Sequence, residues 1–334
     1  MLVIDGAELN MCLREDEMTF FKTVAKMNGV ICCRCSPLQK AQVVKKMKAY
    51  TGLCIAAIGD GGNDVGMIQE ADVGIGIVGK EGKQASLAAD FSINEFNSIL
   101  RLLLWHGRIS YLRTALLGQF IVHRGLIVSI VQAIFTIIFY FCAIPVFNNY
   151  LLLGYATYYT FLPVFCLVFQ QDVDHDDLVL KYPDLYQTLK KGRLLSARTV
   201  LIWTAQSLYQ GTIVMLLAIL FFNDSFVNIV IINFSALLLI ELLNLVTEIR
   251  RGNLLIYGCM VLSFMIYVAS IWIFKAYFDL SSVGIMFVLK VIAITLIAWV
   301  PVHIIKWICE KVNPSEASKI NRNFHASGNF NLAY

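Results

Sequence analysis

The rhythm of apolar and polar positions changes once along the chain, near residue 98. Before that point the apolar runs are short and alternate with helical spacing. Leu2-Val3-Ile4 closes on Asp5-Gly6, the form of a strand end and turn. Between Glu15 and Met27 the apolar residues Met18, Phe21, Val24, Ala25 and Met27 fall at helical spacing, and Asn28-Gly29 follows as a stop. Val30 to Cys35 reads as a second strand. Ser36-Pro37 supplies an N-cap and a first helical residue. The helix they open is predicted over 38–50, with Lys45, Lys46 and Lys48 near its end and Gly52 just beyond. Residues 53–58 form a third strand and 73–77 a fourth. Such alternation predicts a parallel sheet with helices on its faces.

After residue 98 the pattern becomes long and apolar. Ser98 to Tyr111 is helical, and no breaker separates it from the apolar stretch 116–144. Further spans are predicted at 150–169, 200–222, 226–246, 254–274 and 285–308, each close to the ~20 residues that a bilayer crossing needs. The expected organisation is therefore a soluble α/β part and stalk over 1–110 and an all-α membrane part of six transmembrane helices over 111–310. The tail 311–334, rich in Asn and Ser after Pro314, is expected to be disordered and cytosolic.

Composition supports this division. The chain is 58% hydrophobic with a mean hydropathy of +0.69, above the ~45–50% of soluble domains. A net charge of +4, with no basic stripe interleaved with aromatics, argues against nucleic acid. Cys32, Cys33 and Cys35 lack a second Cys or His pair at ligand spacing, so they are expected to be buried core thiols. Met1 leads straight into a strand-like run without a basic leader, which places the soluble part in the cytosol with reduced thiols. Loop charges give an independent argument. Lys181, Lys190, Lys191, Arg193 and Arg198 follow the second span, Arg250 and Arg251 the fourth, and Lys311, Lys319 and Arg322 the sixth. The intervening turns hold only Lys275. The alternation puts both ends in the cytosol.

Candidate chemistry centres on Ile58-Gly59-Asp60-Gly61-Gly62-Asn63-Asp64, between a strand and a helix. Glycines allow close approach of backbone to a bound group. Asp60 and Asp64 are hard oxygen ligands of the kind Mg²⁺ takes. Asn63 and the N–H groups at the helix start can meet phosphate. In parallel sheets ligands bind beyond the carboxyl ends of the strands. Asp5, Arg34 and Asp60 lie at such ends, and Lys40 lies early in the helix after Arg34, so they could converge on one crevice. The plainer readings are a simple turn for the loop, a solvated lysine and a surface arginine. Within the spans, polar residues are functional candidates. Arg124 could act on a substrate or snorkel to headgroups. Glu241 could act or make an interhelical hydrogen bond. Tyr155, Tyr158 and Tyr159 read as packing and interface anchors.

Several of these stretches resemble a known family. Cys33-Arg34-Cys35-Ser36-Pro37-Leu38-Gln39-Lys40, the Gly59–Asp64 loop and Gly82-Lys83-Gln84-Ala85 are similar to the second half of the HAD-like phosphorylation domain of P-type ATPases. The similarity is to type IV, the phospholipid flippases. His123-Arg124-Gly125, Gly154-Tyr155-Ala156-Thr157, Gln171-Asp172-Val173, Tyr182-Pro183-Asp184-Leu185-Tyr186 and Lys191-Gly192-Arg193 resemble the class II branch, ATPases IIA and IIB. The resemblance implies ATP as substrate and Mg²⁺ as cofactor. It implies that Asp60 binds the metal, that Asn63 and Asp64 contact the phosphoryl group and support the metal site, and that Lys40 neutralises the transferred phosphoryl. It places Arg34 on the nucleotide side and Arg124 where type IV enzymes carry a lysine.

It also implies a membrane-integral transporter of aminophospholipids in the Golgi, trans-Golgi network and endosomes, working without the accessory subunit of other flippases. The Asp-Lys-Thr-Gly-Thr phosphorylation motif is not in the sequence. The expectation is therefore a C-terminal third that does not by itself form the aspartyl-phosphate. The alternatives are a truncated, non-catalytic membrane protein and, further off, a cation-pump fragment.

Overall fold

The computed structural model describes the chain apart from residues 80–82, 174–175, 184, 187–188, 190–193, 222–225, 250–253, 274–283 and 327–334. Gly82, Asp184, Lys190, Lys191, Arg193, Arg250, Arg251 and Lys275 thus lie outside the described residues. The chain divides into two compact units, Met1–Leu103 and Leu104–Tyr334.

The first unit holds two small parallel sheets rather than one. Strand β1 (Leu2–Asp5) pairs with β2 (Val30–Cys33), and β3 (Ala56–Gly59) pairs with β4 (Val73–Ile77), which pairs with β5 (Phe91–Ile93). Helix α2 (Glu17–Val24) stands where a helix was expected over 15–27, and α1 (Gly6–Glu15), which was not expected, precedes it. The break falls at Asp16, whose carboxylate accepts from the Thr19 N–H at 3.1 Å and so caps α2. Helix α3 (Pro37–Thr51) starts at a capping box: Gln39 N–H donates to Ser36 Oγ, and Ser36 N–H donates back to Gln39 Oε1 at 2.7 Å. It ends at Gly52, in the left-handed region at φ 60°. Helices α4 (Val65–Glu70) and α5 (Gln84–Ala88) complete the unit.

The three clustered cysteines are not core. Cys32 and Cys33 are exposed and Cys35 is half-buried. The reason is that β2 leaves three of its four residues open to solvent. Partial shielding first, then the Cys35 and Cys33 sulfurs, push the Cys32 thiol upward, away from the thiolate that metal ligation requires.

The second unit is a helical bundle. Six helices have the length and apolarity to cross a membrane: Ser98–Ile138, Asn149–Phe169, Ala197–Phe221, Phe226–Glu248, Leu254–Ile273 and Ile285–Val312. The first ends six residues short of the expected 144. There Tyr140 and Phe141 take φ of 53° and 59°, which stops the helix inside an apolar sequence. The fourth span is the centre of the bundle, with Ile232, Phe234, Ala236, Leu238 and Ile240 all inaccessible to solvent. The second is interrupted: a π-helical stretch (Tyr155–Tyr159) is followed by Thr160 at φ −122° and a short helix (Phe161–Phe165).

The tail is not wholly without structure. Glu316–Ala326 is a helix. Ser315 Oγ accepts from the Ser318 N–H, and Ala317 is buried in a cluster with Trp105, Ile109, Val173, Val179 and Leu185. Asn321 adds a side-chain hydrogen bond to the Asp172 carbonyl at 2.9 Å. Burial of one apolar face and a cap outweigh the polar composition on which disorder was expected.

Candidate functional site

The loop after β3 opens on a crevice of about 510 Å³, lined among others by Lys40, Gly59, Asp60 and Asp64. The loop is built to bring its second carboxylate in. Gly62–Asp64 forms a single 3₁₀ turn, and α4 follows at once. A Cβ on Gly59 would overlap the Cβ of Asp64, so only glycine lets the strand end pass this close. A Cβ on Gly62 would overlap Oε1 of Gln84, so α5 props the turn from behind.

Lys40 comes from the first turn of α3, whose start is fixed by Ser36. Its Nζ lies 2.8 Å from Asp64 Oδ1, with the two side chains 35% and 12% exposed. That pair is the polar centre of the crevice. Lys40 and Asp64, 24 residues apart, thus meet in the crevice. Of Asp5, Arg34, Asp60 and Lys40, expected to converge on one crevice, only Asp60 and Lys40 line it. Asp60 lines the same crevice. Arg34 and Asn63 do not line it. Arg34 sits in the turn after β2 at φ 51° with an exposed side chain, and Asn63 is exposed on the loop. Asp5 ends β1 and does not line the crevice; its N–H donates to Glu8 Oε2 at 3.1 Å in the capping box of α1.

Whether Mg²⁺ fits can be judged from the donors. Mg²⁺ keeps several waters and takes one or two carboxylates together with substrate phosphates. Two loop carboxylates beside an open crevice, with an ammonium at hand for phosphoryl charge, match that requirement. Among the described residues no group of three or more His, Cys, Asp or Glu side chains forms a closed metal cage.

A second polar region lies inside the helical bundle. Arg124, from the first span, donates through Nη1 to Thr160 Oγ1 at 2.6 Å, and its guanidinium lies 5.7 Å from the Tyr155 ring centroid. Glu241, on the fourth span, is 2% exposed. Both of its oxygens are without a hydrogen-bond partner among the described residues, as is the Tyr155 hydroxyl. The interhelical hydrogen bond expected of Glu241 is therefore not made. Tyr155 and Tyr159 are buried in an aromatic cluster with Phe234 and Tyr267, whereas Tyr158 is exposed.

Beside this region runs a closed network that sequence reading did not assemble. Asn244 Nδ2 lies 3.1 Å from His123 Nε2, and His123 Nδ1 lies 2.6 Å from Ser207 Oγ. An amide nitrogen only donates, so Nε2 is the bare nitrogen and Nδ1 carries the hydrogen. Ser207 accepts it and donates onward to the Trp203 carbonyl at 2.8 Å. Gln210 and Asn244 exchange two amide hydrogen bonds of 2.9 and 3.2 Å. The sequence signal was present: Ser207 and Gln210 are polar residues three apart on an apolar span, one face of a helix.

At one end of the same unit, Arg108 holds Asp172 through two hydrogen bonds, Nη1 to Oδ1 at 2.8 Å and Nη2 to Oδ2 at 2.5 Å. The arginine is 3% exposed. Gln170 donates to the Glu248 carbonyl at 2.8 Å, and Lys306 pairs with the Glu248 carboxylate at 2.6 Å.

Comparison with known proteins identifies this architecture. Residues 86–315 match the family described as phospholipid-translocating P-type ATPase C-terminal. The chain is 50% identical over 321 residues to the probable phospholipid-transporting ATPase IIB of Danio rerio, covering 96% of this chain and 28% of that protein. It is 46% identical over 331 residues to the human probable phospholipid-transporting ATPase IIB, covering 96% and 29%. It is 42% identical over 323 residues to the phospholipid-transporting ATPase NEO1 of Saccharomyces cerevisiae, covering 96% and 28%. The chain thus spans less than a third of the length of these relatives. It is a multi-pass membrane protein that belongs to the type IV, phospholipid-translocating P-type ATPases and matches their C-terminal portion.

Proposed function

We propose that this chain is the metal- and phosphoryl-stabilising part, and half of the transport part, of an ATP-driven flippase that moves phospholipid to the cytosolic leaflet. The observation that supports this most is the Lys40–Asp64 ion pair in one crevice with Asp60. Asp60 and Asp64 offer oxygens to Mg²⁺, which would supply charge neutralisation between nucleotide and protein. The Lys40 ammonium, held in place by Asp64, neutralises the phosphoryl group as charge develops on it. Asn63 donates to the same group from the loop, and Arg34 serves the nucleotide side. The aspartate that receives the phosphoryl group lies outside these 334 residues. In the bundle, Arg124 meets the lipid, with phosphatidylethanolamine or phosphatidylserine as the headgroup. Both termini are cytosolic, the pump works without an accessory subunit, and its membranes are those of the Golgi and endosomes.

The test is phosphoenzyme formation from radiolabelled ATP in the native polypeptide that carries these residues. Asp60→Asn is expected to reduce it to background while expression is unchanged. Wild-type phosphoenzyme in that variant would remove Asp60 from the metal site. A cation-transport reading is disfavoured because the first span carries His123, Arg124 and Gln132 where cation ligation would need carboxylates.

A further inference from the structure

The helical unit holds an arginine and a glutamate on neighbouring spans with no ion pair closed between them among the described residues. Glu241 is 2% exposed, and both carboxylate oxygens lack a hydrogen-bond partner among the described residues. An unpartnered carboxylate in a membrane interior is among the least stable arrangements a protein can keep. Arg124 and Glu241 lie on spans that meet: His123, the neighbour of Arg124, lies 3.1 Å from Asn244, one turn from Glu241, yet the described hydrogen bond of Arg124 goes to Thr160. Tyr155 lies between the same spans. Its ring lies beneath the guanidinium and 6.2 Å from that of Phe234, two turns before Glu241 on the same helix face, and its hydroxyl has no partner among the described residues. The backbone that carries Thr160 and Tyr155 is the interrupted one, a π-helical stretch followed by a break. Such stretches are the places where a helix can shift register at small cost. The neighbouring His123, Ser207, Asn244 and Gln210 are joined by hydrogen bonds, and among the buried atoms left without a partner in the described residues only those of Glu241 belong to an acidic side chain.

We infer that Thr160 and Glu241 are alternative partners of Arg124, and that exchange between them is a two-position switch in the membrane unit. With Arg124 on Thr160, the half-buried guanidinium is available to an anionic headgroup and Glu241 waits unpaired. With Arg124 on Glu241, both charges are cancelled and the guanidinium is withdrawn, which releases the headgroup. Glu241 is thus a positioning residue: it acts on the lipid through Arg124. The inference rests on the flippase reading for its lipid, but the pairing itself does not.

The experiment uses the native, full-length polypeptide and the variants Glu241→Gln, Arg124→Gln, their combination, and the exchanged pair Arg124→Glu with Glu241→Arg. The first readout is the midpoint of thermal unfolding in detergent, which needs neither ATP nor lipid. Glu241→Gln is expected to raise the midpoint more in the Arg124→Gln background than in the wild type, because without the guanidinium the carboxylate has no compensating charge. Equal shifts in the two backgrounds would overturn the pairing.

The second readout is ATP hydrolysis in phosphatidylcholine vesicles with and without phosphatidylethanolamine. Glu241→Gln is expected to lower lipid-stimulated turnover about fivefold or more, with phosphoenzyme formation retained. The combined variant is expected to be no worse than the more severe single one, and the exchanged pair to recover part of the loss. Independent, multiplying effects in a lipid-stimulated enzyme would overturn the switch. A coupled midpoint in a wild-type enzyme that does not respond to lipid would leave the pairing intact and fail the flippase reading instead.

Discussion

The two units treat charge in opposite ways. In the first, ion pairs lie in or near water: Lys40–Asp64 at 2.8 Å, Lys46–Glu17 at 2.9 Å, Lys48–Asp72 at 2.5 Å and Lys45–Glu70 at 3.8 Å, with side chains 12–67% exposed. Water solvates whatever the partner does not, so each pair adds little stability, roughly 0–1 kcal/mol, and can be opened by a ligand. In the second, Arg108–Asp172 is nearly sealed, the His123 network is closed, and Glu241 is left out. There a missing partner is not replaced by solvent. The contrast teaches that a pair in the crevice can exchange partners with an incoming ligand, whereas the polar links of Arg108 and of the His123 network fix the packing of the bundle.

The contrast can be broken most forcefully at Arg108. Arg108→Ala leaves Asp172 buried beside an empty space, and a loss of about 3–5 kcal/mol is expected, seen as a lowered thermal midpoint of the detergent-solubilised protein. A midpoint near wild type would mean that water reaches Asp172 and that the units do not differ in this respect. Lys40→Ala is the counterpart in the crevice. Its stability cost is expected to stay under about 1 kcal/mol, while phosphoenzyme formation in the native polypeptide falls by about 10²–10³-fold. A large stability loss would show Lys40 to be a structural ion-pair partner.

Gln210→Leu sharpens the description of the network. It leaves the buried Asn244 Oδ1 without its donor while Nδ2 keeps His123, at an expected cost of about 1–3 kcal/mol, again read as a thermal midpoint. The smallest effect belongs to Asp72, whose carboxyl is held below its ordinary value first by the Lys48 hydrogen bond and then by the Ile55 N–H. A depressed carboxylate contributes stability above its unfolded value and loses it as pH falls through the folded one. Acidification to that range is therefore expected to lower the protection of the Ile55 amide relative to its intrinsic exchange rate at each pH, since its N–H donates to Asp72 Oδ2 at 3.0 Å. In Asp72→Asn that pH dependence should vanish.

Much of the first unit was legible because its signals are local. Ser36, Pro37 and Gly52 mark α3 almost to the residue, and Gly59–Asp64 marks the strand-to-helix loop. Helix α1 was missed although Asp5 and Glu8 stand at capping-box spacing, because Asp5-Gly6 after an apolar run reads equally as a strand end and turn. The five-residue α5 and three-residue β5 are too short to show a period at all. The spans were legible by length, since hydrocarbon thickness sets it. The end of the first was not, because Phe139-Tyr140-Phe141 is as apolar in a reversal as in a helix. At the candidate site, Lys40 and Asp60 line one crevice, as their places after two strands suggested, and Asp64 joins them from the loop. Arg34 does not, because its residue sits in a left-handed turn with the side chain exposed. In the bundle, periodicity gave the face of each polar residue but not its partner, so neither the His123–Asn244 bond nor the unpaired state of Glu241 could be read.

The π-helical stretch of the second span has a consequence for insertions and deletions. Hydrogen bonds that close five residues back hold one residue more than an α-helix of the same rise. Thr160 accordingly donates its hydroxyl to the carbonyl of Tyr155, five positions earlier, while accepting from Arg124. Removing a single residue from this stretch would let the helix close regularly with its flanks still in phase. Such a chain would keep the span and its packing, yet place a different carbonyl under Thr160. The length of the segment is thus itself a determinant of where Arg124 rests, one that no exchange of side chains would reveal.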